Sequence, residues 1–214
     1  MMDNHGFDLW AAGYDEMVNL SDEDNAYPFV GYKKIMNDIY GTVMKKCPAS
    51  VLDIGIGTGV LATKLYDAGH TITGIDFSEK MLEKCKIKMP DAELIQNNIK
   101  NGLPDALENK KFDFIVSTYA LHHLMDEEKV VFINSLLPYL NNNGEIIIGD
   151  VCFETRRDME RCAEAHEDEW DDEEYYFIFS ELNELLLNKF NLSYFKYSHC
   201  GGVIHLMRKS PATP

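Results

Sequence analysis

From Pro48 to Asp150 the chain alternates short apolar runs with stretches whose apolar residues recur at helical spacing. Val51-Leu52-Asp53-Ile54 is a short run ending in glycines, the pattern of a strand covered on both faces. Leu61, Leu65 and Ala68 then repeat with a helical period, and Gly69 supplies the stop. Thr71-Ile72-Thr73-Gly74-Ile75 predicts a second strand ending at Asp76. Ser78 suits an N-cap, Met81, Leu82, Cys85 and Met89 give the next helix its apolar stripe, and Pro90 ends it. Glu93-Leu94-Ile95-Gln96 is a weaker third strand and Phe112 to Ser117 a strong fourth. Asp126-Glu127-Glu128 places negative charge at a helix N-terminus, with Val130, Ile133, Leu137 and Leu140 as that helix's buried face. Gly144 precedes a fifth strand, Glu145 to Gly149, with Asp150 at its end.

Strands alternating with helices imply a parallel sheet with right-handed crossovers. Ligands of such sheets bind outside the carboxyl ends of the strands. Asp53, Asp76, Asn98, Ser117 and Asp150 all fall at or just past such an end, so one cleft is expected to collect them. Further on, Leu182, Leu185 and Leu186 mark a last helix. Leu192 to Ser198 and Val203 to Met207 read as two strands around Gly201-Gly202, a hairpin-like signal.

Composition narrows the partners. The chain has 214 residues, 45% of them hydrophobic, enough for one substantial core and too ordered a composition for a disordered chain. Its formal charge is −16, so the basic footprint of a nucleic-acid binder is missing and a small-molecule substrate is the expected partner. The acidic run from Glu164 to Glu174 reads first as a solvated helix face or loop, and second as a lure for a cationic substrate. Five cysteines with no CxxC pair argue against a disulfide framework or a zinc knuckle. Cys162 and His166 would share a helix face; with no second ligand pair in view they read as ordinary helix residues, and no metal is expected. Met1 to Trp10 carries acidic residues and no apolar run, unlike a signal peptide, and no window approaches the ~20 apolar residues of a membrane span. A cytoplasmic monomer or homodimer is the expectation.

The chemistry centres on Asp53-Ile54-Gly55-Ile56-Gly57-Thr58-Gly59. Glycines in a strand-to-helix loop let a ligand approach the backbone closely, and Asp76 at the end of the next strand can accept both hydroxyls of a ribose. Loop and acid together specify an adenosine-containing ligand. A dinucleotide fingerprint would have Gly or Ala where Val60 stands, and Asp53 would repel a pyrophosphate. The same carboxylate suits a ligand carrying an ammonium and a sulfonium. The charge therefore favours S-adenosyl-L-methionine over NAD.

These segments resemble the motifs of class I S-adenosylmethionine-dependent methyltransferases. Val51 to Gly59 is similar to their first motif, Gly74-Ile75-Asp76-Phe77-Ser78 followed by Met81-Leu82 to their second, and Phe112 to Ser117 running into Ala120-Leu121-His122-His123-Leu124 to their fourth. The stretch from Phe7 to Asp15 resembles the opening of many small bacterial members, with the YrrT-like group nearest, and the likeness runs from about Phe7 to Lys209. The resemblance implies an α/β, Rossmann-like, seven-stranded and mostly parallel sheet with helices on both faces and the last strand antiparallel. The chain's own organisation predicts an N-terminal helical cap over residues 1–47 that contributes to a lid, and a methyltransferase core over 48–214 in which 153–180 is a cap insertion. By position, Gly55 and Gly57 would face the methionine part of the cofactor, with Asp53 close by. Asp76 would hold the ribose, Phe77 and Met81 would pack on adenine, and Tyr14 would touch the cofactor. Asn98 stands where the family usually has an aspartate reaching the adenine amino group; its side-chain carbonyl can still accept that bond. Ile99 and Ser117 complete the expected cofactor-binding set. The product would be S-adenosyl-L-homocysteine, and the motifs say nothing of the acceptor, which O-, N- or S-methylation would all fit.

Methyl transfer to an activated carbon needs the nucleophile held in line, and a base only where the acceptor must lose a proton. His122, His123 and Asp150 are the candidates. His123 resembles a position the family often fills with histidine, which favours a packing role. A metal bound by both histidines is disfavoured, because adjacent residues rarely present both rings to one ion and no partners follow in sequence. Aromatic residues cluster before the core (Trp10, Tyr14, Tyr27, Phe29, Tyr32) and after it (Trp170, Tyr175, Tyr176, Phe177, Phe179), either as a lid that encloses a cation or flat substrate or as cover for the sheet. Two other functions share some of these features: an NAD-dependent oxidoreductase, and a non-catalytic S-adenosylmethionine-binding protein.

Overall fold

The central strands carry apolar residues toward both faces, and helices cover both. The computed structural model describes residues 27–210. In chain order it contains α1 (Tyr32–Val43), β1 (Ser50–Ile54), α2 (Val60–Asp67), β2 (Thr71–Asp76), α3 (Glu79–Lys88), β3 (Glu93–Gln96) and β4 (Phe112–Thr118). There follow α4 (Asp126–Ser135), β5 (Leu140–Phe153), α5 (Arg156–Ala165), β6 (Phe177–Ile178), α6 (Phe179–Leu186), β7 (Phe190–Lys196) and β8 (Gly201–Arg208). The sheet runs β3-β2-β1-β4-β5-β8-β7, with the two-residue β6 beside the far end of β5. β1 to β5 are mutually parallel, and β8 is antiparallel to both its neighbours. The expected order of parallel strands with an antiparallel last strand therefore holds. The short β6 makes an eighth strand that the sequence did not announce.

Alternation within each strand feeds two cores. Val51, Val116, Ile147, Val151 and Val203 join the helices α1, α2 and α3 on one face, while Leu52, Ile54, Ile115, Ile146, Ile148 and Ile204 join α4 and α6 on the other. Gly149 lets α1 lie close to the sheet: a Cβ there would stand 2.5 Å from Ile35 Cγ2 and 2.8 Å from Ile39 Cδ1. Ser78 caps α3 as expected, accepting the Met81 N–H at 3.3 Å, and the acidic first turn of α4 is present.

Three boundaries differ from the periodicity. α4 stops at Ser135, and Leu140 opens β5 instead of extending the helix. Pro138 is the physical reason, since it offers no N–H to continue the ladder and the chain takes a tight 3-10 turn over Leu137–Tyr139. β5 is longer than the sequence suggests, because β8 pairs with it as far as Val151 and β6 at Cys152 and Phe153. Gly201 and Gly202 lie inside β8 and not in the turn; a Cβ on Gly202 would meet Tyr194 Cε2 at 2.4 Å. The five cysteines are free thiols. Among the described residues no helix is long and apolar enough to cross a membrane.

Candidate active site

Parallel strands bring their carboxyl ends to one edge, and the expected cleft residues gather there. Asp53 is the penultimate residue of β1, before Ile54, Asp76 closes β2, and Ser117 lies beside Thr118 at the end of β4. Asp150 is level with them, one residue past the pairing of Gly149 with Thr118, although β5 itself continues to Phe153. Asn98 follows β3 by two residues.

The glycines of the loop serve different ends. Gly55, Gly57 and Gly59 all have positive φ, of 72°, 54° and 75°. Gly55 also needs space, for its Cβ would fall 2.3 Å from that of Ala120, and Gly59 packs on Cys85 of α3. Only Gly57 has open room where a Cβ would point, with nothing nearer than the Gly55 carbonyl at 4.0 Å. Open space where a Cβ would point is thus found at Gly57, and Gly55 fits closely against the protein's own turn after β4.

Asp76 holds this loop. Its Oδ2 accepts the Gly57 N–H at 2.8 Å and its Oδ1 the Ser78 N–H at 2.9 Å. Asp53 contrasts with it: 2% exposed, with Oδ1 buried and lacking a hydrogen-bond partner. Burial first, and then the charge of Asp76, push its carboxyl up to about 7. A buried acid with an unmet oxygen beside an open glycine loop fits an ammonium-bearing ligand and would repel a pyrophosphate.

The remaining expected cofactor residues divide. Phe77, just after β2, is half-buried and Met81 is buried in α3. Ile99 borders a groove of about 510 Å³ that runs past Leu103, Leu124 and Phe132. Asn98 Oδ1 accepts the Lys100 N–H at 2.9 Å, capping the 3-10 turn Ile99–Asn101, so one lone pair is already used. The Ser117 hydroxyl donates to the Ile54 carbonyl at 2.8 Å and ties β4 to β1. Tyr14 and Trp10 lie outside the described residues.

Past β4 the chain turns through Tyr119, a non-glycine residue at φ 49°, and a 3-10 turn at Leu121–His123. That turn aims His122 Nδ1 at Asp150 Oδ1, 2.6 Å away, both groups being buried. Asp150 Oδ1 also accepts the Val151 N–H at 2.8 Å, while its Oδ2 is buried without a partner. The opposite ring nitrogen of His122, Nε2, faces Glu174 Oε1 at 3.5 Å. Burial lowers the His122 pKa, yet the charge and hydrogen bond of Asp150 outweigh it and leave it raised. His123 is pushed down to about 4 by burial and by the neighbouring His122.

Glu174 is the functional candidate the sequence hid. It closes the acidic run expected to be solvated, and most of that run is exposed, but Glu174 turns inward. Tyr175 fixes it there: its N–H donates to the His122 carbonyl at 2.8 Å, and its own carbonyl accepts from Lys129. Lys129 is itself 2% exposed, bound to Asp126 Oδ1 at 2.8 Å and 4.9 Å above the Phe177 ring. Nothing in the local pattern marks a lysine on α4 as buried.

The aromatic flanks meet only in part. Tyr27 stacks on Trp170 at 5.7 Å, shares a hydroxyl hydrogen bond with Tyr176, and Trp170 meets Tyr176 edge-on at 4.8 Å. Phe29 and Tyr32 pack on Tyr119 at 5.2 and 5.5 Å. Phe177 and Phe179 go instead to the opposite core, Phe179 stacking on Tyr194 at 5.3 Å. Near the cover, His199 joins Cys162 and His166, the ligand pair the helix spacing had left alone.

A family model described as a methyltransferase domain matches residues 51–144. Over 158 residues the chain is 39% identical to an uncharacterized methyltransferase of Geobacillus sp. (strain WCH70), covering 74% of this chain and 71% of that protein. A second uncharacterized methyltransferase, from Alkaliphilus oremlandii (strain OhILAs), is 32% identical over 194 residues, covering 86% and 87%. Among solved structures, the magnesium protoporphyrin IX methyltransferase of Synechocystis PCC 6803 with bound SAH superposes with a TM-score of 0.68 over 85% of each chain, at 18% identity, and so shares the fold.

Proposed function

The chain belongs to the class I S-adenosylmethionine-dependent methyltransferases, and from that premise we propose that its acceptor is a small molecule held under the Tyr27–Trp170–Tyr176 cover, beside His122 and His123. The observation that carries the cofactor side of this reading is Asp53, a buried carboxyl with an unmet oxygen two residues before the glycine loop in which Gly57 is open. Asp53 would take the ammonium of the methionine part, Gly55 and Gly57 would shape the loop around it, and Asp76 would exchange part of its hold on the loop for the ribose hydroxyls. Phe77, Met81 and Ile99 would line the adenine side, with Asn98 offering its remaining lone pair. Bound there, S-adenosylmethionine supplies a methyl group already activated by its sulfonium.

The residues of the chain position the acceptor and exclude water. Ala120 abuts Gly55, so the turn that carries His122 and His123 begins at the cofactor loop. Asp150 orients His122, and Tyr176 of the aromatic cover lies 6.4 Å from the same imidazole, ring to ring. The charge of −16 favours a small acceptor over nucleic acid. An NAD-dependent oxidoreductase is the poorer reading, since Asp53 would face a pyrophosphate. Calorimetry with S-adenosylmethionine and with NAD, followed by an acceptor screen that measures S-adenosylhomocysteine, tests the proposal. Binding of S-adenosylmethionine alone and turnover with small hydroxylated acceptors are expected. NAD binding in its place, or turnover confined to protein or RNA, would overturn it.

A further inference from the structure

We propose that His122, His123 and Glu174 form a binding site for a divalent transition-metal ion, and that the acceptor is an alcohol or phenol methylated through an oxygen bound to that ion. This rests on the methyltransferase reading above. One ligand atom from each of the three residues lies within 4.8 Å of the others. Ligand atoms of a tetrahedral zinc site, with bonds of about 2.0–2.1 Å, stand somewhat closer, so the side chains need to draw in by about an ångström.

Ring geometry distinguishes this cluster from the other one found among the described residues. An ion bound by an imidazole lies in the plane of the ring. The rings of His122 and His123 are inclined at 63° with centroids 4.2 Å apart, so a point common to both planes exists. The other cluster, Cys162, His166 and His199, fails this condition: the His166 and His199 rings are parallel within 9° at 5.4 Å. His122 also has the arrangement typical of a metal-bound histidine, one ring nitrogen against a buried carboxylate and the other turned to the site. Glu174 is presented by a backbone pinned on both sides, its own N–H donating to the Asp171 carbonyl at 3.3 Å and the Tyr175 N–H to the His122 carbonyl at 2.8 Å.

Two imidazoles and one carboxylate leave at least one coordination position for a substrate oxygen. The ion would act as a Lewis acid: the bound hydroxyl loses its proton to solvent, and its oxygen forms a bond to the methyl carbon as the carbon–sulfur bond breaks. The electron pair of that bond stays on sulfur, giving S-adenosylhomocysteine and the methyl ether.

The test begins with full-length protein freed of metal by chelation and dialysis. Zinc chloride is titrated by calorimetry, with elemental analysis after gel filtration and S-adenosylmethionine binding measured on the same samples. One equivalent is expected to bind in the wild type. Glu174→Gln and Asp150→Asn should each weaken zinc binding about 10- to 100-fold while S-adenosylmethionine affinity stays within about twofold. Cys162→Ala should bind zinc as the wild type does. Absence of zinc binding with cofactor affinity intact, the result if His122 stays an imidazolium between its two carboxylates, overturns the metal site and leaves the methyltransferase reading standing. So does zinc binding lost in Cys162→Ala and kept in Glu174→Gln. Failure to bind S-adenosylmethionine, with one zinc retained, would overturn the cofactor reading instead.

Discussion

Asp53 faces two opposed demands. Its carboxyl is buried, and burial together with Asp76 holds it at about 7, well above the ordinary carboxylate value of about 4. Without ligand the folded protein therefore keeps a proton that the unfolded chain releases, and stability contributed by Asp53 declines as pH rises from about 4 to about 7. Cofactor binding has the opposite sense, because only the ionised form attracts an ammonium. Affinity for S-adenosylmethionine should fall by up to about tenfold per unit as pH drops below about 7 and level off above it. Calorimetry from about pH 5.5 to about pH 8.5 checks this; Asp53→Asn should bind weakly at every pH and lose the dependence. A wild-type affinity flat across that range would show that Asp53 does not meet the charge. Motif spacing identified the residue. Its unmet oxygen, and the fact that Gly57 rather than Gly55 is the open position, depend on where Ala120 and Asp76 pack.

Elements are joined at this sheet by a few polar clamps as well as by apolar faces. His205 of β8 reaches Glu145 of β5 at 2.6 Å through Nδ1 and Asp38 of α1 at 3.3 Å through Nε2. Burial lowers its pKa, but the hydrogen bond and charge of Glu145, followed by Asp38, leave it raised. A raised folded value means that the clamp stabilises fully below the ordinary value of about 6.5 and fades as pH climbs through the folded one. Urea unfolding of the wild type and His205→Gln should differ by about 1 kcal/mol at mildly acidic pH and converge in alkali. A gap that does not change with pH would mean His205 acts only by packing. Strand and helix existence was readable at this scale, since each central strand carries its apolar run and each helix its stripe. The ends were less so: Pro138 ended α4 early, and β5 was lengthened by partners far away in sequence.

At the scale of the whole molecule, the segment before β1 and the segment between β5 and β6 meet over one end of the sheet. The Tyr27–Trp170 stack and the Tyr27–Tyr176 hydrogen bond join them. Trp170 is half-buried, so Trp170→Ala should leave the fold and cofactor affinity nearly unchanged and raise the acceptor KM about tenfold, the scale of one lost aromatic contact of about 1.4 kcal/mol. Steady-state kinetics with the acceptor found by screening checks the split; a change confined to cofactor affinity would place Trp170 outside the acceptor side. The sequence by itself determined the parallel α/β order, the glycine loop and its two acids, because strand periodicity, loop flexibility and charge are local properties carried by neighbouring residues. Tertiary structure alone decided which side chains meet. Glu174 sits in an acidic run that reads as solvated, Lys129 on a helix that gives no sign of burying it, and His122 and Asp150 are separated by a helix and most of a strand. They converge because parallel strands deliver their carboxyl ends to one edge, and long-range packing, which no local pattern encodes, brings the later segment back over it.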